Sequence, residues 1–385
     1  MKQTEAKLLS TSRILGDACH EAAVGREVFD DVRDSLEQLV ESLNREATLH
    51  PAGRLRAENF LKHCLRQRLE LRASRSSYPA SFKRELRRPI FIVGLPGSGS
   101  TLLHQLMCLD EENRTPRMWE LAFPTPPPDT ASYSSNPRIG LVRHELQVMN
   151  AAQPETHRTR LPDAEEPGDC SAIFSRCLMS PQTLMHYAIP DYARWFWKQP
   201  LGERYRWYRE ELQLLQTNVL GNWVLRSPFH QWGVAELHAV FPDAVLVQTH
   251  RELLELLAAG ASRIESLRKA HSDAVDPLAC GRDAGEMAYR YTRCFGEWRE
   301  QHGATVIDVS YRDLIAKPLD TLASVYRATG RKLGMQARMR VQAWLRENPH
   351  YAPGKRGLDG VRYGLDAAAV LHEMADYTGR YGQFL

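Results

Sequence analysis

The chain has 385 residues, 43% hydrophobic and 25% charged, a globular balance with ample material for a core. Its formal net charge of +3 argues against general nucleic-acid binding, whereas an anionic ligand needs only a local basic pocket. The seven cysteines (Cys19, Cys64, Cys108, Cys170, Cys177, Cys280 and Cys294) show neither Cys-x-x-Cys nor Cys/His metal spacing, which predicts free thiols in a reducing cytosol and no metal site. Met1 to Lys7 lack the apolar core of a signal peptide and no apolar run reaches membrane-spanning length, so a cytoplasmic protein without a membrane span is expected.

Residues 1 to about 88 read as helical: Val28 to Leu43 and Gly53 to Leu71 place apolar residues at three- and four-residue spacing. A basic run from Lys83 to Arg88 reads as a solvated link into the first strand. Ile90 to Leu95 is a short apolar run of buried-strand type. It meets the small-residue turn Pro96-Gly-Ser-Gly-Ser-Thr101, after which Leu102, Leu103, Leu106 and Met107 recur at helical spacing. A strand, a glycine turn and a helix start together cradle phosphate, because the glycines bend the backbone tightly and the first helical N–H groups and the helix dipole face an anion. Ser98, Ser100 and Thr101 add hydroxyl donors.

A proline-rich turn, Phe123 to Asp129, ends the helical run, and a mostly helical, aromatic-rich stretch follows to about Gly221. Trp223–Leu225, Ala244–Thr249 and Thr305–Val309 are further strand candidates alternating with helices, which argues a parallel sheet covered on both faces. Arg251 stands at the carboxyl end of the 244–249 strand, where open α/β sheets bind ligands, and Ser262 follows three helical turns later. The expected organisation is a helical segment over 1–88 and a main domain over 89–385 with a helical insertion at about 125–221.

The loop, Pro116-Arg-Met-Trp-Glu-Leu121, Trp223 to His230, Phe241 to Arg251, Val309 to Pro318 and Lys355-Arg-Gly357, in this order, resemble the bacterial sulfotransferase family that uses 3′-phosphoadenosine 5′-phosphosulfate (PAPS). The resemblance runs from about Gly25 to Leu385. It implies an α/β, P-loop-like sulfotransferase fold with a parallel central sheet flanked by helices. It also implies transfer of a sulfuryl group from PAPS to a hydroxyl or phenol of a small molecule, with no nucleic acid and no metal involved and with room for a homo-oligomer. Leu95, Pro96, Gly97, Ser98, Gly99, Ser100 and Thr101 would hold the 5′-phosphosulfate, Arg251 with Ser262 the 3′-phosphate, and Lys355, Arg356 and Gly357 would close over the nucleotide.

Two positions depart from the family pattern. Gly97 stands where the loop pattern P-[RK]-[ST]-G-[ST]-T has a basic residue, and Ala259 stands where relatives place a serine eight residues after the arginine. Arg226 or the Arg87/Arg88 pair could supply the missing charge. Two other functions stay open: a catalytically impaired nucleotide-binding protein of this fold, or a P-loop kinase, although Ser100 replaces the kinase lysine and Asp308 is a poor metal-binding aspartate. The acceptor hydroxyl needs a proton acceptor. Glu120, after the loop helix, is the first candidate and His230 the second; the third is the group Glu165, Glu166 and Asp169 with His157 upstream. A cap, an ion pair or a core position is the structural alternative for each.

Overall fold

A computed structural model of the protein describes residues 8–151, 163–302, 306–349 and 360–385. Five parallel strands, β1 (Ile90–Val93), β2 (Asn113–Arg114), β3 (Asn222–Arg226), β4 (Val245–His250) and β5 (Val306–Ser310), form one sheet in the order β2-β3-β1-β4-β5. β1 lies at its centre. All four of its residues are buried, as an unbroken apolar run between two covered faces requires. The three long strand candidates are therefore present within a residue of their expected bounds. β2 is a two-residue edge strand too short to carry a periodicity of its own.

The helices that precede the sheet are α1 (Thr11–Ala22), α2 (Asp30–Arg45) and α3 (Pro51–Ser77). α2 buries Val32, Leu36, Leu39, Val40 and Leu43, and Asp30 and Asp31 in its first turn with Arg45 in its last complement its dipole. α4 (Ser100–Met107) follows β1, and α5 (Met118–Ala122), α6 (Pro137–Ala151), α7 (Pro181–His186), α8 (Pro190–Phe196) and α9 (Gly202–Leu215) come between β2 and β3. α10 (Val234–Val240) leads to β4, and α11 (Leu253–Lys269) and α12 (Pro277–His302) join β4 to β5.

The alternation of β1 splits the core. Phe91 and Val93 face a layer that includes Leu36 and Leu65 from the amino-terminal helices and Phe174, Tyr205, Tyr208 and Phe229 from the middle of the chain. Ile90 and Ile92 face Leu103, Leu106, Val224, Val247 and Leu314 on the other side. The amino-terminal helices and the middle segment thus share one core. Arg87 and Arg88 precede β1 and so lie at the amino end of the sheet; Arg87 is exposed and pairs with Glu85 at 3.0 Å. They cannot serve a loop at the opposite end of the same strand. Among the described residues no helix is long and apolar enough to cross a membrane, and all seven cysteines are unpaired.

Two of the buried histidines, His104 and His230, lie against the central strands. His104 on α4 sits between Thr115 Oγ1 (2.9 Å) and the Val224 carbonyl (3.1 Å), and His230 has Nδ1 2.9 Å from the Tyr205 hydroxyl. Burial pushes each down to about 3. Both are therefore neutral in the folded chain and protonate on unfolding below about pH 6.5. Their contribution is complete above that pH and is lost as pH falls towards 3. Urea unfolding at pH 7 and pH 5 should show stability falling with acid, at up to about 1.4 kcal/mol per pH unit for each ring. An unchanged stability would place both rings in water.

Candidate active site

At the carboxyl end of β1 the chain turns through Gly94 (φ +143°), Gly97 (φ +94°) and Gly99 (φ +93°) into α4. A side chain could not replace these hydrogens cheaply: a Cβ on Gly94 would meet Thr249 Oγ1 at 2.2 Å and one on Gly99 would meet Tyr311 Cδ2 at 2.7 Å. The Ser98 N–H donates to the Leu95 carbonyl (3.0 Å), closing the turn. Ser98 Oγ lies 2.6 Å from Thr249 Oγ1, which itself donates to the Val93 carbonyl at 3.2 Å. Ser98 is therefore a buried latch between loop and β4. Leu95 and Ser100 are buried as well, whereas Gly97 and Thr101 are exposed at the mouth.

The neighbouring strand ends carry the cations. Arg251, just past β4, donates to the Gly97 carbonyl at 3.2 Å, and its guanidinium stands 4.2 Å from the centre of the Tyr311 ring beyond β5. Its other donors go to the exposed carboxylate of Glu255, with Nε 2.9 Å from Oε2. Arg226, the last residue of β3, pairs with Asp169 at 3.1 Å. Burial pushes the Asp169 carboxyl up, but the Arg226 charge and hydrogen bonds from Ser171 and Ser227 outweigh it, so its pKa lies below the usual carboxylate value. Ser262 points to the carboxyl-terminal segment, where it meets the hydroxyl of Tyr363, which in turn donates to Glu265 at 2.8 Å. Arg251 is brought to the loop by the fold; Ser262 is engaged elsewhere. Lys355, Arg356, Gly357 and His157 lie outside the described residues.

The structure gives Glu120 a structural position. Its carboxylate is fully buried and takes both arms of Arg114 on β2, at 2.5 and 2.9 Å. It also accepts from the Arg117 N–H (2.8 Å) and the Tyr133 hydroxyl (2.9 Å). His230 has no accessible surface and packs edge-on against Phe91, 5.0 Å between ring centres. Of the third group, Glu165 pairs with Arg143 at 3.0 Å, while Asp169, with 27% of its side chain accessible, is the member beside a strand end. Thr249, Tyr311 and Arg263 were not singled out from the sequence. Tyr311 lies within the quoted 309–318 segment, and Arg263 was findable from its four-residue spacing to Ala259.

Replacing Glu120 by Gln should cost about 3–5 kcal/mol in urea unfolding, because Arg114 is left buried without a counter-charge. Lost turnover at wild-type stability would instead make Glu120 a catalytic group.

Comparison with known proteins bears on the family and the fold. The Sulfotransferase family model matches residues 89–334. Sulfotransferase STF1 from Mycobacterium tuberculosis is similar over 97% of this chain and 100% of its own, at 27% identity and a TM-score of 0.83. Sulfotransferase STF9 from Mycobacterium avium shares the fold over 99% of this chain and 98% of its own, with a TM-score of 0.87 at 21% identity. A comparison with curated proteins returns no match. The family match spans more than half of the chain and includes the loop, both flanking arginines and all five strands, and the chain belongs to the sulfotransferase family.

Proposed function

We propose that this transferase moves a sulfuryl group from PAPS to a hydroxyl of a small molecule. One observation carries the reading: the glycine turn at the carboxyl end of β1 has the Arg251 guanidinium over it, hydrogen-bonded to Gly97. The backbone N–H groups of the loop and the start of α4 would hold the 5′-phosphosulfate. Arg251 would turn from Glu255 to the 3′-phosphate, exchanging an exposed carboxylate for a doubly charged group. In the transfer the acceptor oxygen forms the new S–O bond while the bond from sulfur to the 5′-phosphate oxygen breaks, its electron pair leaving with the nucleotide. The chain contributes placement and charge stabilisation.

The hydroxyl proton needs a destination. Glu120 and His230 are closed off by burial, and Asp169 is the candidate carboxylate with surface at the strand ends. A carboxyl held below its usual pKa is a weak proton acceptor, which favours a phenol-type hydroxyl over an alcohol. The kinase alternative gains nothing from the geometry: Asp308 is held by His250 and by Arg299, each at 2.9 Å.

The wild-type chain should bind 3′-phosphoadenosine 5′-phosphate (PAP) more tightly than AMP in calorimetry, and Arg251→Ala should weaken PAP by about 1.5–3 kcal/mol. Equal affinity of the wild type for the two nucleotides overturns the reading. Transfer from labelled PAPS to a phenol panel separates an enzyme from a non-catalytic binder. Gly97→Arg should lower PAP affinity and transfer rather than raise them, since a φ of +94° strains any side chain; a gain in rate would show that the loop tolerates the family's usual residue.

A further inference from the structure

The two departures from the family pattern meet in space. A Cβ on Gly97 would stand 3.4 Å from Ala259 Cβ and 3.4 Å from Leu256 Cδ2, so the direction a loop side chain would take runs onto α11. Residues 256, 259, 260 and 263 share one face of that helix. Arg263 is one turn beyond Ala259, with about 5–6 Å between their Cβ positions. Long helical side chains lean back over the turn that precedes them, here the turn of Ala259 and Gly260 beside the loop. The small residues at 97, 259 and 260 leave that path open.

The charge state of the surroundings singles out this arginine. Arg226 is held by Asp169 and Arg251 by Glu255, while Arg263 has no ion pair and no hydrogen bond among the described residues, and its side chain is exposed. The protein atoms around it lower its pKa by desolvation, the Asp169 carboxylate opposes this, and Arg226 adds to it, so its guanidinium lies within electrostatic reach of both groups. An accessible guanidinium within electrostatic reach of the end of β3, with no ion pair of its own, is arranged for an anion that arrives from solution.

Resting on the sulfuryl-transfer reading above, we infer that Arg263 takes the place of the missing basic loop residue and contacts the leaving 5′-phosphate. The charge has moved from the loop to a helix facing it. Arg263 then donates to the oxygen on which negative charge grows as the S–O bond breaks, and no proton is transferred by it.

The test uses Arg263→Gln and Arg263→Lys in the full chain. Arg263→Gln should melt at or above the wild-type temperature, because it removes a cation near Arg226 and breaks no ion pair; a purely structural arginine would lower it. It should weaken PAP by about 10–100-fold while leaving adenosine 3′-phosphate, which lacks the 5′-phosphate, within twofold of wild type. Transfer from PAPS should fall about 10²–10³-fold, with partial recovery in Arg263→Lys. If the wild type discriminates PAP from AMP yet Arg263→Gln binds PAP and transfers like the wild type, the inference is wrong and the functional reading stands. If the acceptor KM alone changes, Arg263 holds the acceptor and the assignment also fails. A wild type that does not discriminate PAP from AMP sinks the reading itself.

Discussion

Everything in the site depends on how β1 ends. Three glycines at positive φ turn the chain within six residues, and the turn is held by a chain of hydroxyls, Ser98 to Thr249 to the Val93 carbonyl. That latch crosses from β1 to β4, so the loop keeps its shape only while the two strands stay in register, Val93 opposite Gln248. The same register sets Arg251 over the loop. On the proposed reading the loop holds phosphate through backbone N–H groups, with no side chain to compensate for misplacement, so rigidity has to come from the sheet beneath.

Around this cradle the cations differ in what holds them. Arg114 is paired inside the protein with Glu120 and stacks 4.9 Å from the Trp223 ring, joining β2 to α5. Such a pair contributes organisation more than net stability, since both charges were taken from water. Arg226 is oriented by Asp169, and Arg251 by an exposed carboxylate and an aromatic face. Along this series the partners become progressively easier to displace, from fully buried to solvent-exposed.

Glu120 shows how far a linear reading of the chain reaches. Its place shortly after the loop helix suggested chemistry at the transferred group, and only the packing of β2 shows that its oxygens face Arg114. His230 is similar: it follows a strand end, as a site residue would, yet its ring turns into the aromatic layer against Phe91. In both cases the backbone position was legible and the side-chain direction was not.

The sequence by itself determined the parts whose physics is local. Strand β1, its glycine turn, the start of α4 and the arginine after β4 follow from apolar runs, glycine conformations and spacing within a dozen residues. Tertiary structure decided which distant residues meet. Arg87 and Arg88 went to the wrong end of the sheet, Ala259 came to face Gly97, and Arg263 came within electrostatic reach of Arg226 and Asp169. No local pattern encodes these encounters, because they are set by strand order and by how α11 packs across the carboxyl ends of the strands. Residues far apart along the chain become neighbours only when the whole sheet is assembled.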